Sequence, residues 1–410
     1  MSLTASSPPV NKLAPNSPAL TVLLGALTAI GPMSMDIYLV SVPTMTEAFH
    51  ATVNQVQLTL SLYMAGFAVG QLIYGPLSDR FGRRPALLLG LLLHVSASVV
   101  CMMAVQIETL IVARLFQSVG VCGCFVVARA VVRDLHTRER AARLLSYMGM
   151  VTGMAPIVAP IIGSYLHVAF GWRANFAFVT VYGGLALLAV FLLFAETNRR
   201  PDPQALDPRR MLRNFAHLLE HRAYLGFACT SACISGALFA FVSGASLVFL
   251  RVFGFPEQYF GYLFGMIMLG NILGAAVGGR LVMRYGIEGL LMRGAVLAMI
   301  AGVGMAALAW AGVNHPAAVL GPMFLFMLGF SLVLPQSMAG AMSPFPMMAG
   351  SASALMGVLQ FTFASLVGVW VGALFDGTQR PMAEAIGAMT VLSWLAFTLI
   401  VRPTVRRPVA

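Results

Sequence analysis

The chain has 410 residues, of which 59% are hydrophobic and only 10% charged, with a mean hydropathy of +0.86. A soluble domain carries about a quarter charged residues, so composition excludes a soluble globular protein and points to a polytopic membrane protein. The net charge of +11 does not imply a nucleic-acid partner. Nearly all the basic residues are arginines in short turns between apolar stretches, which is an orientation signal in a membrane protein.

Residues 1–18 are rich in Ser, Pro and Asn and read as an unstructured N-terminal tail. No cleavable signal peptide is expected, because the first apolar run is long enough to span a bilayer. Spans of about 20 apolar residues are predicted at 19–42, 56–76, 86–105, 108–130, 143–166, 173–195, 222–250, 259–279, 289–312, 316–338, 350–374 and 382–402. The fold class is therefore all-α, with twelve spans. The domain pattern is a first six-helix bundle at 19–195, a cytoplasmic linker at 196–221, a second bundle at 222–402 and a tail at 403–410.

The linker carries Pro201, Pro203 and Pro208. Its second half, 209–221, reads either as an amphipathic surface helix, with Met211, Leu212, Phe215, Leu218 and Leu219 on one face, or as an unstructured connector. With the N-terminus placed inside, 21 of the 25 basic residues fall on the inner side, including Lys12, Arg199, Arg200, Arg406 and Arg407. Arg173, Arg251 and Arg380 fall outside, and Arg114 lies within a span. Both termini are expected in the cytoplasm.

The turn after the second span reads Gly75-Pro-Leu77-Ser-Asp79-Arg80-Phe-Gly82-Arg83-Arg84. At an offset of 204 residues a degraded copy follows as Gly279, Leu281, Arg284 and Gly286, with Met283 in place of Asp79. A basic turn repeated at half the chain length indicates two similar membrane halves.

Thirteen of the 14 acids lie in loops or near span ends. Only Asp36 is well inside a span, and Arg114 is its basic counterpart. A charge in the bilayer interior costs about 2.5–3.5 kcal/mol on insertion scales and marks a functional site with a partner to be named. Each lies six residues from the outer end of its span, about 9 Å deep. An Asp36–Arg114 pair or a shared water-filled cavity satisfies both. The competing reading is a purely structural tie between spans one and four. Gly31-Pro32, one turn before Asp36, is expected to bend span one.

Span five carries Gly149, Gly153, Pro156, Pro160 and Gly163, a spacing for close helix contact. Gln71, Gln117, Asn271, Gln336 and Gln360 are uncharged polar residues within spans; they either line a cavity or bond helix to helix. Tyr38, Gln117, Gln336 and Gln360 are taken as cavity candidates. His94 reads as a packed residue or a proton relay and is left outside the site. Cys101, Cys122, Cys124, Cys229 and Cys233 all fall in apolar stretches without metal-site spacing to histidines, so packing roles are expected, with no metal.

These motifs resemble the major facilitator superfamily. Gly75–Pro85 resembles its loop-two/three motif, and Arg114-Leu-Phe-Gln117-Ser-Val-Gly120 its span-four motif. Met35-Asp36-Ile-Tyr38-Leu39 followed by Pro43 is similar to the span-one motif of twelve-span drug:proton antiporters, and more narrowly to the Bcr/CflA branch. Arg129-Ala-Val-Val-Arg133-Asp134 and Gly350-Ser-Ala-Ser-Ala354 fit the same branch.

The resemblance implies several things. Asp36 is the protonation site and Arg114 its coupling partner. Gly75, Asp79, Arg80, Gly82, Arg83 and Arg84 form a cytoplasmic gate, with Asp79 near a helix N-terminus. Pro156, Pro160 and Gly163 form the antiporter motif. That motif departs from the family's Gly-Pro-x-x-Gly-Gly, reading Ala159-Pro160-Ile-Ile-Gly163-Ser164, although its residues stay small.

The expected function is proton-coupled efflux of small, largely apolar antimicrobials of phenicol or bicyclomycin type across the bacterial inner membrane. The partners would be drug, protons and the lipid bilayer. No nucleic acid and no cofactor is expected, and the protein is expected to be a monomer. The alternative is transport of a small metabolite such as an amino acid or sugar. A membrane-embedded enzyme lacks the clustered nucleophile, base or metal ligands it needs, and a channel does not account for one buried acid with one buried base.

Overall fold

The computed structural model describes residues 13–14, 17–198, 201–345 and 348–405. Most of the two predicted tails, with Lys12, Arg406 and Arg407, and the linker residues Arg199 and Arg200 lie outside the described residues. Those described are helical throughout, with no strand.

Among the described residues, eleven helices are long and apolar enough to cross a membrane. The first span is broken: α1 (Pro18–Asp36) gives way to a turn at Leu39–Ser41 and then α2 (Val42–Ala48). α3 (Val53–Phe81), α4 (Arg83–Met103), α5 (Ile107–Leu135), α6 (Arg138–Phe170) and α7 (Arg173–Leu193) complete the first half. The linker forms α8 (Pro208–Glu220). α9 (Arg222–Ser246), α10 (Glu257–Trp310), α11 (Ala317–Met342), α12 (Ala349–Ala373) and α13 (Arg380–Ala396), followed by the short α14 (Arg402–Val405), form the second.

α10 has 54 residues, about 80 Å at 1.5 Å per residue, too long for one crossing. Its backbone leaves the helical region at Gly286, where φ is +68°, so it counts as two spans and the total is twelve. Gly82, the corresponding residue of the first basic turn, has φ +104°. Both copies of the repeat therefore end on a glycine in backbone that other residues rarely adopt.

Within the first half, α5 packs on α3 and α4, and α1 on α6; within the second, α10 packs on α11 and α9 on α12 and α13. The halves meet through α3 against α12 and α6 against α10. Counted as spans, these are two against eleven and five against eight. Exchanging the halves turns one pair into the other, as a two-fold relation between them requires.

The predicted bend in span one is displaced. α1 continues helically through Pro32 and ends at Asp36. Proline removes only its own N–H bond, whereas the break leaves the last carbonyls of α1 to be taken up by neighbouring side chains. Of the two readings of 209–221, the structure takes the helix. Leu218 is buried and Phe215 packs beside it against Tyr224 and Phe345, while Leu212 and Leu219 face outward.

Candidate functional site: a buried charged centre below a central cavity

Arg114 is completely buried, and the local fold is arranged around its guanidinium. Its Nη1 donates to the Ser34 carbonyl at 2.9 Å and to Gln117 Oε1 at 2.6 Å. The ring centroids of Tyr38 and Tyr63 lie 4.2 and 4.1 Å from its central carbon, and that of Phe176 5.9 Å away. Ser34 is in the last turn of α1, where carbonyls lack intrahelical partners and the helix dipole is negative, so a cation there is favoured. Desolvated cation–π contacts contribute about 2 kcal/mol each. Two of them are comparable with the cost of placing an arginine in a membrane interior.

The positions of these partners are themselves fixed. Tyr63 donates to the Gly31 carbonyl at 3.0 Å, and Tyr38 is hydrogen-bonded to Thr59 at 2.9 Å. Gln117 Nε2 donates to Ser98 Oγ at 2.7 Å, and Ser98 donates in turn to the His94 carbonyl at 2.6 Å.

Asp36 ends α1 and is only 4% exposed. It lies close enough to feel the Arg114 charge. Among the described residues, however, no ion pair joins them, and Asp36 accepts no hydrogen bond. Arg114 Nε and Nη2 are buried and unbonded. Of the two arrangements that matching depth allows, the direct pair is therefore not made in this structure; the Ser34 carbonyl at the end of α1 and the Gln117 amide take one nitrogen of the guanidinium. The other two nitrogens remain available to a carboxylate.

A cavity of about 1000 Å³ opens from the middle of the molecule to the end carrying the basic turns. Its floor includes Thr28 and Pro32, one turn short of Asp36, and its apolar wall includes Met148, Met268, Met327 and Phe330. Gln71 and Asn271 supply amides to the wall. Tyr38, Gln117, Gln336 and Gln360 do not line it. Tyr38 and Gln117 are consumed in packing Arg114, so they support the charged centre instead. Gly149, Gly153 and Pro156 face the cavity rather than a helix, whereas Gly163 packs: a Cβ there would run into the Ile37 carbonyl. Pro160 and Ile161 press their backbone on Gly261 of α10.

The opposite end is closed. His167 Nε2 lies 3.2 Å from Glu257 Oε2, and Thr44 donates to Glu257 at 3.3 Å. Arg251 reaches the Pro43 carbonyl at 2.8 Å and Glu47 at 3.2 Å. Tyr165 and Tyr262 are hydrogen-bonded at 2.8 Å. Every one of these contacts ties the first half to the second. Sequence reading missed them because polar residues near helix ends carry them, where such residues are common.

At the open end, Arg83 bonds Asp79 at 2.5 Å and Asp134 at 2.7 Å. Glu196 accepts from the Arg83 and Arg84 amides at 2.8 and 3.0 Å, capping α4 with a carboxylate where its dipole is positive. Arg84 also donates to the Phe191 carbonyl at 2.8 Å, and Arg80 lies over Phe81. Asp79 itself stands in the last turn of α3, the negative end of that helix, and Arg83 offsets this. Among the described residues Asp79 does not bond the second half, as expected where the halves stand apart. In the second copy Met283 is 90% exposed, so no equivalent carboxylate network forms there.

A model of the major facilitator superfamily matches residues 24–400. The chain belongs to the major facilitator superfamily. This transporter is 30% identical to a bicyclomycin resistance protein homolog of Haemophilus influenzae over 91% of the chain and 94% of that protein. It is 30% identical to multidrug resistance protein D of Escherichia coli over 92% of the chain and 95% of that protein. Among solved structures, a D-xylose–proton symporter superposes with a TM-score of 0.72 at 16% identity, covering 96% of this chain and all of that one; this shows the fold alone. The chain is thus a multi-pass membrane transporter and not an enzyme.

Proposed function

We propose that this transporter expels small, largely apolar antimicrobials of phenicol or bicyclomycin type across the bacterial inner membrane in exchange for protons. The reading places both termini and the open end of the cavity in the cytoplasm, in accord with the distribution of arginines. The observation that carries it is Asp36, the one buried carboxylate among the described residues, two residues past the Ser34 carbonyl that holds Arg114 and one turn past Pro32 on the cavity floor. The names of the relatives, which speak of bicyclomycin and multidrug resistance, support drug efflux; the phenicol part of the reading rests on the resemblance to the Bcr/CflA branch alone.

An ionised carboxylate buried without a partner is costly, whereas one drawn onto the free N–H groups of Arg114 is not. Protonation of Asp36 therefore decides whether the pair forms. In the proposed cycle Asp36 takes a proton while the cavity faces outward, and its hold on Arg114 weakens. The halves rock to the inward-open form, the state that the proposed orientation assigns to this structure. The proton leaves, drug enters, and the ionised carboxylate favours return. Drug and proton need only prefer different states. No cofactor takes part; the proton gradient is the energy source, and a single chain contains the whole pathway.

The test is accumulation of labelled chloramphenicol and bicyclomycin in efflux-deficient cells expressing the chain, with an Asp36→Asn control and a protonophore. Lowered accumulation that disappears with either treatment is expected. Unchanged accumulation of both drugs, with membrane expression confirmed, would remove them as substrates.

A further inference from the structure

The acids lining the central cavity are all engaged. Asp79 pairs with Arg83, Asp202 with Arg210 at 3.1 Å, and Asp207 accepts from the Arg209 amide at the start of α8. Two arginines of the same wall are not matched in this way. Arg129 and Arg133 stand one turn apart on α5, both exposed to the cavity. Among the described residues, neither has a carboxylate partner or donates a hydrogen bond. The contact Arg129 does make is with the ring of Phe125, 3.9 Å from its centroid. Phe125 also lines the cavity and belongs to an aromatic cluster, with Phe67 at 5.7 Å and Phe361 4.7 Å beyond Phe67.

Like charges four residues apart on a helix repel by a few tenths of a kcal/mol, and nothing described in the protein relieves this pair. Both count toward the positive inner side, but that role does not require a place on the cavity wall, where both stand. Two planar guanidinium groups on a cavity wall, one stacked on an aromatic platform, form a receptor for an anionic group attached to an apolar body.

We propose that Arg129 and Arg133 form an anion-binding subsite within the central cavity, so that the preferred substrates are small aromatic acids rather than lipophilic cations. This adds a substrate class, small aromatic acids, to the neutral drugs of the efflux reading above and rests on that reading. Phe125, Phe330 and the methionine wall take the apolar body, while the arginine pair takes a carboxylate or sulfonate. Neutral molecules rich in acceptor oxygens bind the same place more weakly, and apolar cations are repelled from it.

The test is equilibrium titration of the purified transporter in zwitterionic nanodiscs with three probes: nalidixate, an aromatic carboxylate; its neutral ethyl ester; and tetraphenylphosphonium. Nalidixate is expected to bind more tightly than either of the others, and its affinity should fall as salt rises. Arg129→Gln and Arg133→Gln should each weaken nalidixate about tenfold, as expected for losing one charge-assisted contact, and leave the ester nearly unchanged. Arg129→Lys should keep part of the nalidixate affinity, and Arg293→Gln, away from the cavity, should have no effect. Unaltered melting temperatures exclude misfolding of the variants.

Equal affinity for nalidixate and its ester would overturn the proposal. So would equal loss of both in the arginine variants, tighter binding of tetraphenylphosphonium, or no saturable nalidixate binding. Adding phosphatidylglycerol separates the two sources of anion: abolished nalidixate binding would assign the subsite to a lipid headgroup and refute a soluble substrate. Binding requires neither efflux nor proton coupling, so this result stands apart from that of the accumulation assay.

Discussion

Gln117 connects Arg114 to Ser98 through both ends of its amide. Gln117→Leu would strand the two at once. A buried polar group left without its partner costs about 1–3 kcal/mol, so a clear fall in thermal stability in detergent is expected. Tyr63→Phe is milder. It removes the hydroxyl that reaches the Gly31 carbonyl and keeps the ring against the guanidinium, so about 1 kcal/mol is expected, with transport retained. Tyr63→Leu, which also removes the ring face, should cost about 2 kcal/mol more. If melting curves ranked Phe and Leu together, the stacking would contribute nothing. Asp36 and Arg114 were legible in the sequence because a charge within an apolar span stands out. Tyr63 was not, since an aromatic residue in such a span carries no distinguishing mark. The cavity amides divided wrongly for a related reason: spacing shows that Gln71, Gln117 and Asn271 are intramembrane, but not which helix face meets the void and which meets Arg114.

α6 joins the two halves, touching α1 through Gly163 and α10 through Pro160 and Ile161. Gly163→Ala would drive a methyl group into the backbone carbonyl of Ile37, which has no side chain to swing aside. Overpacking of this kind costs about 1–3 kcal/mol. Gly149→Ala, where the added atom meets open space, should be close to neutral. Parallel melting of the two variants checks this, and equal behaviour would remove close packing as the reason for the small residues. On α2, α10 and their neighbours, the contacts between the halves hold the closed end. Arg251→Ala combined with Glu257→Gln should shift the population toward opening at that end, read as a longer, broader distance between spin labels at positions 165 and 262. An unchanged distribution would show that the packing of α3 on α12 and of α6 on α10 suffices. The spans were legible to within a few residues because hydropathy and turn arginines mark them. The displaced break in span one was not, because proline signals a possible bend while tertiary contacts choose where the helix ends.

At the scale of the molecule, a repeat of four residues at a fixed offset pointed to two related halves, and the exchange of spans two and eleven with eight and five is its structural counterpart. The halves are related but not equivalent. The first holds Asp36, Arg114 and the Asp79–Arg83–Asp134 network, while the second presents Met283 to the surroundings. The sequence could not reveal which end stands open, since both arrangements use the same spans and differ only in which contacts between the halves are made. The account assigns the energy coupling to a single carboxylate. The most direct test is transport of a labelled drug into proteoliposomes with an imposed proton gradient, comparing the native chain with Asp36→Asn, alongside equilibrium drug binding. The native chain should concentrate drug against its gradient in the direction opposite to proton flow. Asp36→Asn should still bind drug and fold normally but fail to concentrate it. Full uphill transport by Asp36→Asn would contradict the account and move the coupling elsewhere in the chain.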